Sequence, residues 1–82
     1  MQRAQKYVPG EVLIKFKATT DSTVIDSLCK TVGLEKIKEL KQIHVFLYRI
    51  NSSMTVKEVI ETYKDDPHIE YIEPNYTVNL NK

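Results

Sequence analysis

His44-Val45-Phe46-Leu47-Tyr48-Arg49-Ile50 is the stretch on which the fold turns. Aromatic and β-branched residues dominate it, and neither glycine nor proline interrupts it, so it reads as a strand. Alternation places His44, Phe46, Tyr48 and Ile50 on one face and Val45, Leu47 and Arg49 on the other. Upstream, Lys41-Gln42-Ile43 serves as a hairpin connection. Before it, Leu34 to Leu40 sets Ile37 and Leu40 among charges and reads as an edge strand protected by lysines. Gly33 precedes that strand as the stop of a helix whose Val24, Ile25, Leu28 and Val32 recur at helical spacing. Further back, a Pro9-Gly10 turn leads into a strand over residues 11–17. There Val12, Ile14 and Phe16 face one way, and Leu13, Lys15 and Lys17 the other.

Downstream, Thr55-Val56-Lys57-Glu58 fits a capping box, in which threonine and glutamate each satisfy an amide that the helix leaves unpaired. Val56, Val59, Ile60 and Tyr63 continue as an apolar stripe. Asp65-Asp66-Pro67 ends the helix, and Ile69 to Glu73 forms a last strand, with Ile69 and Tyr71 opposite Ile72. The order is β-α-β-β-α-β. Its economical packing is an α+β, ferredoxin-like sandwich: a four-stranded antiparallel sheet with two helices on one face. Residues 7–76 make this single domain. Residues 1–6 are expected to be a disordered N-terminal segment, and 77–82 an extended C-terminal tail.

Bulk properties narrow the function. A domain of 82 residues buries only about 60% of its unfolded surface, and its one cysteine allows no internal disulfide. The net charge of +1, with both signs mixed along the chain, disfavours nucleic acid, which demands a concentrated basic face. No apolar run suits a membrane, and Met1 to Lys6 is followed by no signal-peptide core. His44, His68 and Cys29 show no metal-ligand spacing, no glycine-rich loop exists to hold phosphate, and a Cys29–His44 nucleophilic pair has no supporting sequence. Neither a catalytic residue nor a metal or other cofactor is expected. Asn51-Ser52-Ser53 and Asn75-Tyr76-Thr77 match the glycosylation sequon, a pattern with many chance occurrences.

Two helices cover one sheet face, so a domain working alone should be polar on the other. Here the third strand is apolar on both sides, and Leu13 stands opposite Val12, Ile14 and Phe16. An apolar face rimmed by charge marks a partner surface. The alternative is that twist and loop side chains cover it. After the last strand, Thr77-Val78-Asn79-Leu80-Asn81-Lys82 alternates apolar and polar residues, an extended peptide of the kind that pairs with the edge of a cleft.

Tyr7-Val8-Pro9-Gly10-Glu11-Val12-Leu13-Ile14-Lys15-Phe16-Lys17 opens the domain, and Asp66-Pro67-His68-Ile69-Glu70-Tyr71-Ile72-Glu73-Pro74-Asn75-Tyr76 closes it. Together, over about residues 7–80, these resemble the propeptides of subtilisin-like serine proteases. The resemblance implies a non-catalytic domain that templates folding of its cognate protease domain, inhibits it afterwards, and is secreted with it. It also implies that the open sheet face packs on two surface helices of the protease. Glu73 and Asn75 would accept hydrogen bonds from the N-termini of those helices. Tyr76, Thr77, Val78, Asn79, Leu80, Asn81 and Lys82 would lie along the cleft like the acyl half of a cut substrate. Val78 would fill the pocket four residues before the cut if cleavage follows Asn81, and Asn79 if it follows Lys82. Without the resemblance, Glu73 reads as a solvated strand-end residue and Asn75 as a turn former. The rival function is a free-standing ferredoxin-like regulatory module that self-associates through its open sheet.

Overall fold

Alternation along the first strand builds the core. In the computed structural model, which describes residues 7–76, β1 (Tyr7–Phe16) runs through the middle of the sheet and buries Val12, Ile14 and Phe16 on one side. Then come α1 (Ser22–Val32), β2 (Leu34–Leu40), β3 (Val45–Ile50), α2 (Val56–Tyr63) and β4 (Ile69–Tyr76). The strands form one antiparallel sheet in the order β2-β3-β1-β4. Val32 of α1 and Val56, Val59 and Tyr63 of α2 pack in one cluster with Val12, Ile14, Phe16, Tyr48, Ile50 and Ile69. Both helices therefore cover the same face, giving the α+β ferredoxin-like sandwich.

Local chemistry sets the element ends. The Thr55 hydroxyl accepts from the Glu58 amide at 3.1 Å, and the Glu58 carboxylate accepts from the Thr55 amide at 2.9 Å, completing the capping box. Gly33 ends α1 at φ 75°, a left-handed conformation that favours glycine. A Cβ there would also meet Ser52 Cβ at 3.3 Å. The Tyr63 hydroxyl donates to the Leu28 carbonyl and ties α2 to α1. Lys41–Ile43 forms a single 3-10 turn between β2 and β3, closed by His44 at φ 57°.

Two strand readings need correction. The first strand does not begin after a Pro9-Gly10 turn: Tyr7 already pairs with Tyr76, and Val12 pairs with Pro74. Val8 to Glu11 thus stand opposite Asn75 alone, a wide bulge in which Gly10 takes φ 77°. In β4, Lys15 pairs with Tyr71 but Phe16 pairs with Ile69, so Glu70 is an extra residue. The shift turns Ile69 to the helix side together with Ile72, and Tyr71 alone to the other side. Strict alternation could not anticipate this, because one added residue reverses the face of everything beyond it. The expectations for residues 1–6 and 77–82 lie outside the described residues.

Candidate functional site

The face that no helix covers is built in cross-strand rows. Leu40, Val45, Lys15 and Tyr71 form one row, and Lys38, Leu47, Leu13 and Glu73 the next. Val45 is 5% exposed yet lies outside the helix-side cluster, so its neighbours on the open face enclose it. Leu13 and Leu47 are half-buried, while Leu40, Ile43 and Tyr71 are 42%, 50% and 45% exposed. The Lys15 ammonium leans along this surface, donating to the Ile43 carbonyl at 2.6 Å and lying 3.7 Å from Glu70. In β2 a third irregularity, between Lys36 and Lys38, leaves Ile37 40% exposed and interrupts the sheet edge. Irregular, lysine-bearing edges discourage strand addition there.

The third row is polar. Glu35 lies 3.7 Å from Arg49 and accepts from the Asn51 amide at 2.9 Å. Arg49 pairs across the sheet with Glu11, whose carboxylate accepts from the Asn75 side-chain amide at 2.9 Å. The open face is thus apolar at one end and hydrogen-bonded at the end where the chain leaves β4.

That polar end is where the first and last sequence motifs meet. The Tyr7 and Tyr76 rings pack edge to face, centroids 6.4 Å apart, Pro74 lies opposite Val12, and Asn75 reaches Glu11. Two motifs read separately from opposite ends of the chain are one structural unit. Glu73 is half-buried beside Leu13, and its carboxylate takes part in no hydrogen bond or ion pair among the described residues. The structure brings Glu73, Asn75 and Tyr76 together at one end of the sheet. Thr77, Val78, Asn79, Leu80, Asn81 and Lys82 lie outside the described residues. Sequence reasoning quoted Glu11 inside the opening motif but gave it no role. The available signal was a carboxylate in one motif and an amide donor in the other.

Elsewhere, reactive groups are held in structural roles. Cys29 is half-buried in a cleft between α1 and the sheet, alongside Tyr48 and Phe46. Burial, with a smaller contribution from the Asp26 charge, pushes its thiol pKa up, and burial does the same to the Tyr48 phenol. A thiol kept protonated is a poor nucleophile. His44 and His68 each offer a backbone carbonyl to the end of β1, accepting from Phe16 and Lys17 at 3.1 and 3.0 Å. The His68 amide donates to the Asp66 carboxylate at 2.8 Å, as in an Asx turn. Among the described residues no three His, Cys, Asp or Glu side chains could share a metal ion, and no helix is long and apolar enough to cross a membrane.

Comparison with known proteins bears on this face. The family described as fervidolysin N-terminal prodomain matches residues 2–75. Among solved structures, the chain is similar to fervidolysin from Fervidobacterium pennivorans, a keratinolytic enzyme related to subtilisin. The identity is 30% and the TM-score 0.70, over 94% of this chain and 11% of that one. The chain therefore spans a small part of the enzyme's length. No curated protein sequence matches it.

Proposed function

This chain belongs to the fervidolysin N-terminal prodomain family, the propeptides of subtilisin-like serine proteases, and on that premise we propose that it docks its open sheet face on a cognate protease domain. A propeptide is not itself a catalyst; its work is done by complementarity. The observation that carries the proposal is the patch of Leu13, Leu47, Leu40 and Tyr71, apolar surface that no helix among the described residues covers, with Glu73 at its margin. Covering a leucine side chain stabilises a complex by ~1.5–3 kcal/mol relative to leaving it in water. Glu73 and Asn75 supply acceptors for helix N-termini, where unpaired amides and a partial positive charge await them.

On this reading the chain from Tyr76 onward enters the protease cleft as a product-like inhibitor. Before that stage the same surface assists folding. Proteases of this class contain many contacts between distant segments and fold slowly for that reason. A preformed surface that binds the folding transition state lowers the barrier. The domain would travel with a secreted precursor.

The test is inhibition of a panel of subtilisin-like proteases that includes mature fervidolysin. We expect competitive inhibition against peptide substrates. Deleting Thr77 to Lys82 should raise Ki at least about tenfold, or ~1.4 kcal/mol, with the fold unchanged by circular dichroism. Non-competitive inhibition, or a truncated chain that inhibits equally well, would refute binding in the cleft.

A further inference from the structure

We infer that Glu11 is a positioning residue for Asn75, and that its carboxylate is the reason an asparagine, not an aspartate, serves as the acceptor beyond Glu73. The inference rests on the docking proposed above and adds a residue from the other end of the chain. The four-against-one mismatch between Val8–Glu11 and Asn75 brings Glu11 alongside β4, and its Oε1 accepts from Asn75 Nδ2 at 2.9 Å. An ionised carboxylate only accepts, so Asn75 can face it only with its NH2 group. The amide orientation is fixed by chemistry, and its Oδ1 turns away from Glu11. Among the described residues that oxygen receives no hydrogen bond.

An aspartate at a helix N-terminus is ordinarily at least as good as an asparagine, because its charge also meets the helix dipole. Here it would set two carboxylates at hydrogen-bond distance in a half-buried corner, and like charges that close resist joint ionisation. Asparagine avoids the conflict. It presents a neutral oxygen to the partner while the negative charge stands one hydrogen bond behind it. A donor bonded to a carboxylate polarises the amide and strengthens the acceptor at its far end. The wide bulge, with Gly10 at φ 77°, is the device that aims Glu11.

The test is a two-residue cycle measured as Ki against the protease of the panel that the unaltered chain inhibits best. With Glu11 present, Asn75→Asp should raise Ki about tenfold. In a Glu11→Gln background the Gln amide can donate to the new carboxylate, and Asn75→Asp should then leave Ki within about twofold or lower it. Glu11→Gln alone should raise Ki about threefold, because its carbonyl oxygen still accepts from Asn75 but the charge that polarises the amide is gone, whereas Glu11→Ala should raise Ki about fivefold or more. Thermal unfolding of each free variant guards against a merely structural effect: differences in Tm should not reproduce the coupling seen in Ki. Equal changes on Asn75→Asp in both backgrounds would overturn the role of Glu11 and leave docking intact. Absence of inhibition by the unaltered chain would remove the docking proposal and this inference together.

Discussion

Glu73 sits half-buried beside Leu13, and among the described residues nothing hydrogen-bonds to its carboxylate. On the proposed docking, that carboxylate gains its partners in the complex. Glu73→Ala should therefore weaken inhibition by ~1.5–3 kcal/mol, the range for hydrogen bonds to a charged group. It should change free-domain stability within only ~0.5 kcal/mol, as surface substitutions do. Ki and denaturant unfolding measure the two sides, and equal losses would make Glu73 a solvated strand-end residue. Glu73 and Asn75 were candidate acceptors only through the family resemblance; read locally, Glu73 is a solvated strand-end residue and Asn75 a turn former. Glu11 was not. Its contact depends on how four residues of one strand meet one residue of another, a geometry no local pattern encodes. Phe46 shows the same limit from the other side. Its ring packs with Phe16 and Tyr48 on the helix-covered face, although its sequence neighbours made either face plausible.

At the scale of the element, the helices were legible and the strand phases only partly so. Helix signals are local: a cap, an apolar stripe and a stop lie within a dozen residues. Thr55→Ala should remove one half of the capping box and cost ~1 kcal/mol of stability. Denaturant unfolding would register it, with inhibition by the folded variant unchanged, since α2 lies on the covered face. A variant as stable as the parent would show that tertiary packing alone holds the N-terminus of α2. Strands carry a weaker signal, because the side-chain period is two and any bulge inverts it. Alternation correctly divided Val12, Ile14 and Phe16 from Leu13, and Phe46, Tyr48 and Ile50 from Val45 and Leu47. It failed in β4, where Glu70 is the extra residue, and at the start of β1, where proline and glycine mark a bulge instead of a turn.

At the scale of the molecule, the two sheet faces differ: the helices pack on one, and no helix among the described residues covers the other. Leu47 is the position that separates them: half-buried, central, and opposite Leu13 on the face no helix covers. Leu47→Glu should leave the free domain folded by circular dichroism, because the new charge reaches water. Burying that charge without a partner is costly, so the variant should lose inhibition and assistance in protease refolding together. Full inhibition and refolding assistance by the variant would mean that the protease binds elsewhere on the domain. The arrangement of strands carries one more consequence, for the order of events. β1 is the first strand made, but both its neighbours are distant in sequence, and β4 is the last of all. During synthesis β2 and β3 can close as a local hairpin, while β1 waits with one side open. The sheet is complete only when Tyr76 emerges to meet Tyr7. A chain growing from its N-terminus thus completes the sheet face proposed to dock no earlier than β4, and on that proposal cannot act as a template before then.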